Sequence, residues 1–345
     1  MNKDLKSFRR SALLVICLAL LSFSGQQAWG ILLEKPIDCQ IGKNCFIQNY
    51  VDLSPGPEAA DHECGPLTYD KHKGTDFRID YDAMIRGVKV LAAAPGVVRG
   101  VRDSMMDIVF QKENAVYING RECGNGVIIQ HPDGSQTKYC HMRRGSIRVK
   151  LGEQVSTGQM LGLVGLSGET EFPHLHFEVL VDGAPVCPFT GRYVESGCGD
   201  ATRSLWTSQA LMALPYIASG ALGAAFTESS VKDFSVLLSI SKDSPVQRQS
   251  SEIFFWAAFW GVHQGDVINM RVSSPAGEVW TAPSYIAPHN QAQVIRSLGK
   301  SKSSDKDLWP AGEYQGAAML VRDGQSVVKI ARRFILLKRH QELTH

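Results

Sequence analysis

The chain has almost no excess of one charge: 36 Lys and Arg stand against 34 Asp and Glu in 345 residues. No basic tract breaks that balance, so the electrostatic footprint of a nucleic-acid binder is absent. Also missing is an apolar run that crosses a bilayer comfortably. The run from Ala12 to Leu21 falls short of the roughly 20 residues that a spanning helix needs. Helical periodicity is scarce between residues 31 and 200, which turns the fold class towards strands.

What is present begins with a leader. Lys3, Lys6, Arg9 and Arg10 precede the apolar run and Ala28-Trp-Gly30 follows it, so residues 1–30 read as a secretory signal cleaved near Ile31. An uncleaved amino-terminal anchor is the alternative. Cys17 follows Ile16, where a lipoprotein signal would carry a small residue. Without residues 1–30 the charged residues fall from 36 to 32 basic and from 34 to 33 acidic, and the apparent basicity goes with the signal. A substrate must then be recognised locally. The expected location is periplasmic or secreted, with no stable membrane span.

Seven cysteines remain: 39, 45, 64, 123, 140, 187 and 198. In an exported chain they favour disulfides over zinc knuckles. Cys39 with Cys45 and Cys123 with Cys140 are expected pairs, the second because both flank the strand-turn-strand segment Gly126 to Lys138. Of the other three, Cys64 with Cys198 is preferred because it ties the entry of the domain to its end.

With about 315 residues after the signal, two domains are expected. Residues 31–200 hold short Val/Ile/Leu runs, frequent glycine and turn signals such as Pro132-Asp-Gly134 and Val181-Asp-Gly183, the pattern of a compact, antiparallel, barrel-like sheet. Residues 201–230 are small and mildly apolar and read as a linker that packs somewhere. Alternation returns over 231–338, as in Asp266 to Val272 and Val327 to Ile335, predicting a smaller β-sandwich before a polar tail at 339–345. The fold class expected is therefore all-β.

Two stretches carry the chemistry: His72-Lys-Gly-Thr-Asp76 and Pro173-His174-Leu-His176-Phe-Glu178. The His-X-His alternation puts both imidazoles on one strand face. Such a set, with three protein ligands and a position left to water, is the arrangement of a catalytic zinc. Either stretch alone is commonplace. Together with Tyr139-Cys-His141 between them, and with framework turns at Ala93 to Val98 and Gly158 to Gly168, they resemble the lysostaphin-type (LytM-domain) zinc endopeptidases of bacterial peptidoglycan over roughly residues 64–190.

That resemblance implies Zn2+ held by His72, Asp76 and His176. It gives His141 and His174 the roles of general base and of donor to the oxyanion, either residue fitting either role. It also implies hydrolysis of peptide cross-links in peptidoglycan stems, with D,D-bonds favoured because nothing here looks like a wall-targeting module. Two other readings compete: a non-catalytic LytM-type regulator of wall hydrolases, and a secreted bacteriolytic protease. Glu178, two residues past His176, is expected to accept from a ligand imidazole or else to be a solvated strand residue. His131 precedes a hairpin turn and reads as ordinary, and Trp206, Trp256, Trp260, Trp280 and Trp309 read as core. Residues 231–345 hold no ligand-spaced cluster, so the sandwich is expected to position or restrain the enzyme and take no part in the chemistry.

Overall fold

The computed structural model describes residues 30–199, 203–238, 246–304 and 306–337. The expected signal, Gly30 apart, and the expected polar tail lie outside them. The described residues from Ile31 on form one compact unit.

In chain order the strands of the first part are β1 (Phe46–Asn49), β2 (Thr75–Arg78), β3 (Lys89–Leu91), β4 (Gly96–Arg102), β5 (Asn125–Gln130), β6 (Gln136–Met142), β7 (Gln154–Val155), β8 (Met160–Leu163), β9 (His174–Val181) and β10 (Ala184–Val186). One antiparallel sheet runs β1-β2-β9-β6-β5-β4-β7, with β10 also on β9, while β3 and β8 pair separately. The all-β expectation is met, and the sheet follows an open path from β1 to β7. Two short helices interrupt it, α1 (Tyr81–Arg86) and α2 (Ala115–Ile118). Helix α1 starts where the Asp80 side chain accepts from the Ala83 amide, and it stops at Gly87, whose φ of 96° a residue with a Cβ rarely adopts.

Strand β9 explains why the sheet has an open face and a closed one. Leu175, Phe177, Val179 and Val181 point into a core shared with Phe77, Val127, Ile129 and Leu161. Burying one such Phe side chain is worth about 1.5–3 kcal/mol. The alternate residues His174, His176 and Glu178 face a groove.

The second part holds β11 (Gly220–Thr227), β12 (Glu252–Val262), β13 (Val267–Ser273), β14 (Val279–Thr281), β15 (Tyr285–Ile286), β16 (Gln291–Ser301), β17 (Gly312–Arg322) and β18 (Gln325–Leu336). Sheet β11-β12-β16 packs on sheet β14-β13-β17-β18 through a core that includes Phe255, Phe259, Val272, Tyr314 and Leu320. The segment expected as a linker carries helix α3 (Ser208–Met212) and strand β11, which pairs with β12 over its length. Its Gly and Ala residues lack the β-branched signature of a strand, yet they are what fits under the indole: a Cβ on Gly220 would meet Trp260 Nε1 at 2.4 Å.

All three expected disulfides are present, Cys39–Cys45, Cys64–Cys198 and Cys123–Cys140, and Cys187 is a buried free thiol. Trp206, Trp256, Trp260 and Trp309 are buried, as expected of core. Phe46 stacks on Trp260 with centroids 4.5 Å apart and planes 7° from parallel, so the two parts meet beside β1.

Candidate metal centre

Antiparallel register assembles the site. Asp76 on β2 lies opposite His176 on β9, Arg78 lies opposite His174, and on the other flank Cys140 of β6 lies opposite His176. His72 sits in the loop four residues ahead of Asp76. Gly74 in that loop is required by close approach, since a Cβ there would stand 2.6 Å from the His176 ring. His141, the residue after Cys140, takes a left-handed φ of 59°, uncommon for a residue with a side chain. Its amide donates to the Cys123 carbonyl at 2.8 Å, so the Cys123–Cys140 bridge braces the end of β6 that carries it.

The five expected residues converge. His72, Asp76, His141 and His174 are buried, His176 is half-buried, and all line one groove of about 740 Å³. Each of three imidazoles is fixed by its outer nitrogen. Nδ1 of His72 donates to the Tyr50 carbonyl at 2.6 Å, Nδ1 of His141 to the Ser167 carbonyl at 2.8 Å, and Nδ1 of His174 to the Phe172 carbonyl and Thr170 Oγ1, both at 3.0 Å. Because a carbonyl only accepts, these rings carry their proton on Nδ1 and, when neutral, leave Nε2 as a lone pair. His176 is turned the other way, with Nδ1 inward.

The inner atoms are crowded with acceptors. His72 Nε2 lies 3.2 Å from Asp76 Oδ2 and 3.3 Å from His176 Nδ1, and His176 Nδ1 lies 2.8 Å from Asp76 Oδ1. An acceptor facing an acceptor at such range is stable only with a proton or a cation between them. Two ligands about 2.1 Å from a tetrahedral ion stand about 3.4 Å apart, so this trio fits a metal. One ligand atom from each of His72, Asp76 and His176 lies within 4.8 Å of the others, and the same holds for His141, His174 and His176.

Electrostatics follow from the geometry. Burial works against charge on Asp76, but the imidazoles of His72, His174 and His176 outweigh it and hold the carboxyl well below the usual carboxylate range. Asn49 Nδ2 adds a donor to Oδ2 at 2.9 Å. Burial likewise opposes charge on His72, yet the neighbouring Asp76 raises it. Burial, aided by the other imidazoles, holds His141 well below the ordinary imidazole value, and burial lowers His174 too. Both are neutral bases at neutral pH.

Glu178 meets neither expectation. It is buried, and its partner is the Lys138 ammonium at 3.1 Å. His131 is ordinary, as expected: its two ring nitrogens are engaged by the Pro95 carbonyl and Thr137 Oγ1. Gln48, Asn49, Tyr69, Phe172 and Gln293 also stand in the groove wall, and no local motif marks them. The bulge between Ile47 and Asn49 on β1 aims the buried Asn49 at Asp76.

Residues 70–188 match Peptidase family M23. Over 115 residues the chain is 38% identical to the peptidoglycan DD-endopeptidase ShyA of Vibrio cholerae, a match covering 33% of this chain and 21% of that protein. It is 32% identical over 121 residues to the DD-carboxypeptidase/endopeptidase Mpg of Neisseria meningitidis, covering 35% and 23% respectively. The chain thus spans about a fifth of the length of these curated relatives. Among solved structures, a zinc-containing peptidase from Vibrio cholerae aligns at 28% identity over 46% of this chain and 39% of that one, with a TM-score of 0.32.

Proposed function

We propose, from the premise that residues 70–188 are an M23 peptidase domain of the LytM type, that this protein is a zinc endopeptidase cutting D,D-peptide cross-links of peptidoglycan. The observation that carries the reading is the convergence of His72 Nε2, the Asp76 carboxylate and His176 Nδ1 in the groove wall, at ligand-like separations of 2.8–3.3 Å. His176 belongs to both candidate trios. We choose the one containing Asp76, because a carboxylate offsets part of a dication's charge where imidazoles alone do not. When bound there, zinc supplies Lewis acidity, which acidifies a water and polarises the scissile carbonyl.

The chain's own residues then handle protons. His141 and His174 each present an Nε2 lone pair, with Nδ1 locked by a main-chain carbonyl. One takes the proton of the attacking water, and the resulting imidazolium returns it to the departing amine. The other must first take a proton from solvent at Nε2, against the pull of its burial, and then donates it as a hydrogen bond to the oxyanion. No covalent enzyme intermediate is needed. The substrate class rests on the relatives' names as peptidoglycan DD-endopeptidases, and it implies an extracytoplasmic site of action, periplasmic or secreted. No helix of the described residues is long and apolar enough to cross a membrane.

We assign residues 31–200 as the peptidase domain with its amino-terminal extension and the strands from β11 to β18, Gly220 to Leu336, as a sandwich that packs against it. The test is digestion of purified peptidoglycan by protein stripped with a chelator and then resupplied with zinc, followed by mass spectrometry of the fragments. D,D-cleaved monomers that appear only on resupply support the reading. Intact cross-links in both samples refute it.

A further inference from the structure

Arg78 is a buried guanidinium with no carboxylate within ion-pair distance among the described residues. It follows Asp76 by two positions on β2, so its side chain leaves the same face of the sheet. Three groups hold it. Its Nη1 donates to Oε1 of Gln48 and, at 2.8 Å, to Oε1 of Gln293, and the Phe172 ring lies under the guanidinium with its centroid 4.1 Å away.

Gln293 arrives from the other sheet system. On β16 it is the cross-strand partner of Trp260 on β12, and Trp260 stacks on Phe46 of β1. The aromatic stack therefore sets the distance at which Gln293 meets Arg78. Gln48 comes from β1 itself, where the bulge between Ile47 and Asn49 breaks the alternation and lets Gln48 and Asn49 both reach the groove.

Arginine offers only donors, so the amide atom facing it must be oxygen in both glutamines. This chemistry alone fixes the orientation of each amide. Both NH2 groups are thereby turned away from Arg78, and neither meets an acceptor among the described residues. Gln48 and Gln293 line the same groove as His72, Asp76 and His174. A positive charge on the carbonyl side of an amide also strengthens the donors on its nitrogen.

We infer that Gln48 and Gln293 form a two-donor subsite, oriented by Arg78, which grips an oxygen acceptor, a carbonyl or carboxylate, of the substrate peptide beside the scissile bond. Arg78 is then a positioning residue, and the sandwich supplies half of a specificity element to a site whose chemistry lies wholly on the other sheet. The assignment of the ligand as substrate peptide rests on the endopeptidase reading above.

The discriminating change is Gln293→Glu. Glutamate keeps an oxygen for Arg78 and so preserves the contact between sheets, but it removes the NH2 donors and turns an acceptor into the groove. Affinity is measured by calorimetry with a soluble cross-linked peptide dimer, in the zinc-loaded His174→Ala background, which does not depend on turnover. Thermal unfolding serves as the folding control. We expect Gln293→Glu to weaken binding about tenfold, the scale of one lost polarised hydrogen bond, with metal content unchanged and the unfolding midpoint not lowered, since the new carboxylate meets the Arg78 guanidinium. Gln48→Glu should do the same, and in the active enzyme both should raise KM and leave kcat in place. Unchanged affinity in a folded Gln293→Glu protein overturns the subsite, as does failure of the Gln-containing protein to bind the dimer. Hydrolysis by the unaltered enzyme in a parallel sample judges the endopeptidase reading separately.

Discussion

Strands β9 and β12 are both central, both almost wholly buried, and opposite in what they do with burial. Along β9 one face is Leu175, Phe177, Val179 and Val181, and the other is His174, His176 and Glu178. Along β12 both faces are apolar: Phe255, Ala257 and Phe259 join the core between the two sandwich sheets, while Trp260 on the opposite side joins the core of the first part. A sheet covered on both faces has nowhere to expose chemistry. A sheet covered on one face can place three imidazoles and a carboxylate along the uncovered one, each propped from behind by a main-chain carbonyl or a cross-strand neighbour.

The comparison breaks most visibly at the ligands. His72→Ala, Asp76→Ala or His176→Ala should eliminate tight zinc retention and reduce hydrolysis by at least about a thousandfold, read by elemental analysis beside a digestion assay. His141→Ala or His174→Ala should cost about 10²–10⁴ in hydrolysis while most of the metal stays bound. Loss of metal from the His141 or His174 variants would favour the other histidine trio.

On β12 the same kind of change should act on stability alone. Phe255→Ala in the sandwich core should destabilise by about 3–5 kcal/mol, measured by denaturant unfolding, and the protein that remains folded should keep its zinc. Metal loss at equal folded fraction would mean that the two strands are less independent than their faces suggest.

A smaller effect is expected where the site is braced. Replacing Cys123 and Cys140 by serine opens a loop with a sequence separation of 17, worth about 3 kcal/mol in the chain-entropy model. Activity should fall further than stability explains, because the bridge adjoins His141 and its left-handed φ. Activity that simply tracks the folded fraction would remove that link.

The least effect concerns His131, whose ring meets Thr137 of β6 and the Pro95 carbonyl, away from the groove. Burial, partly offset by the Pro95 carbonyl, holds its pKa below the ordinary 6.5. The unfolded chain therefore takes up this proton first. The stabilisation is complete above pH 6.5 and is lost as pH falls through the window beneath it, down to the folded value. His131→Gln should flatten that part of a stability profile. An unaltered slope would assign the pH dependence to other groups.

How much of this was legible follows from the range of each interaction. Four of the five residues that converge on the groove stand in local patterns, a four-residue step before β2 and a two-residue step on β9, whereas His141 has no spacing of its own and entered only through the family resemblance. The three disulfides could be read because the cysteines flank turns or domain ends. The strand at Gly220–Thr227 could not, since its signal is smallness that only matters under Trp260, a partner 40 residues away on β12. Nor could the groove wall. Ala292 and Gln293 line it, so the sandwich contributes to the wall, a place that fits the expected positioning role and leaves the chemistry to the other sheet. That contact depends on the Phe46–Trp260 stack, which no local pattern announces.

The central claim is that a metal held by His72, Asp76 and His176 cuts cross-linked stem peptides. Its most direct test is mass spectrometry of a defined cross-linked peptide dimer incubated with zinc-loaded protein and, in parallel, with the Asp76→Ala variant at equal folded concentration. The account predicts D,D-cleaved monomers from the first sample and none from the second. Monomers from both samples would contradict the ligand assignment, and intact dimer in both would contradict the function.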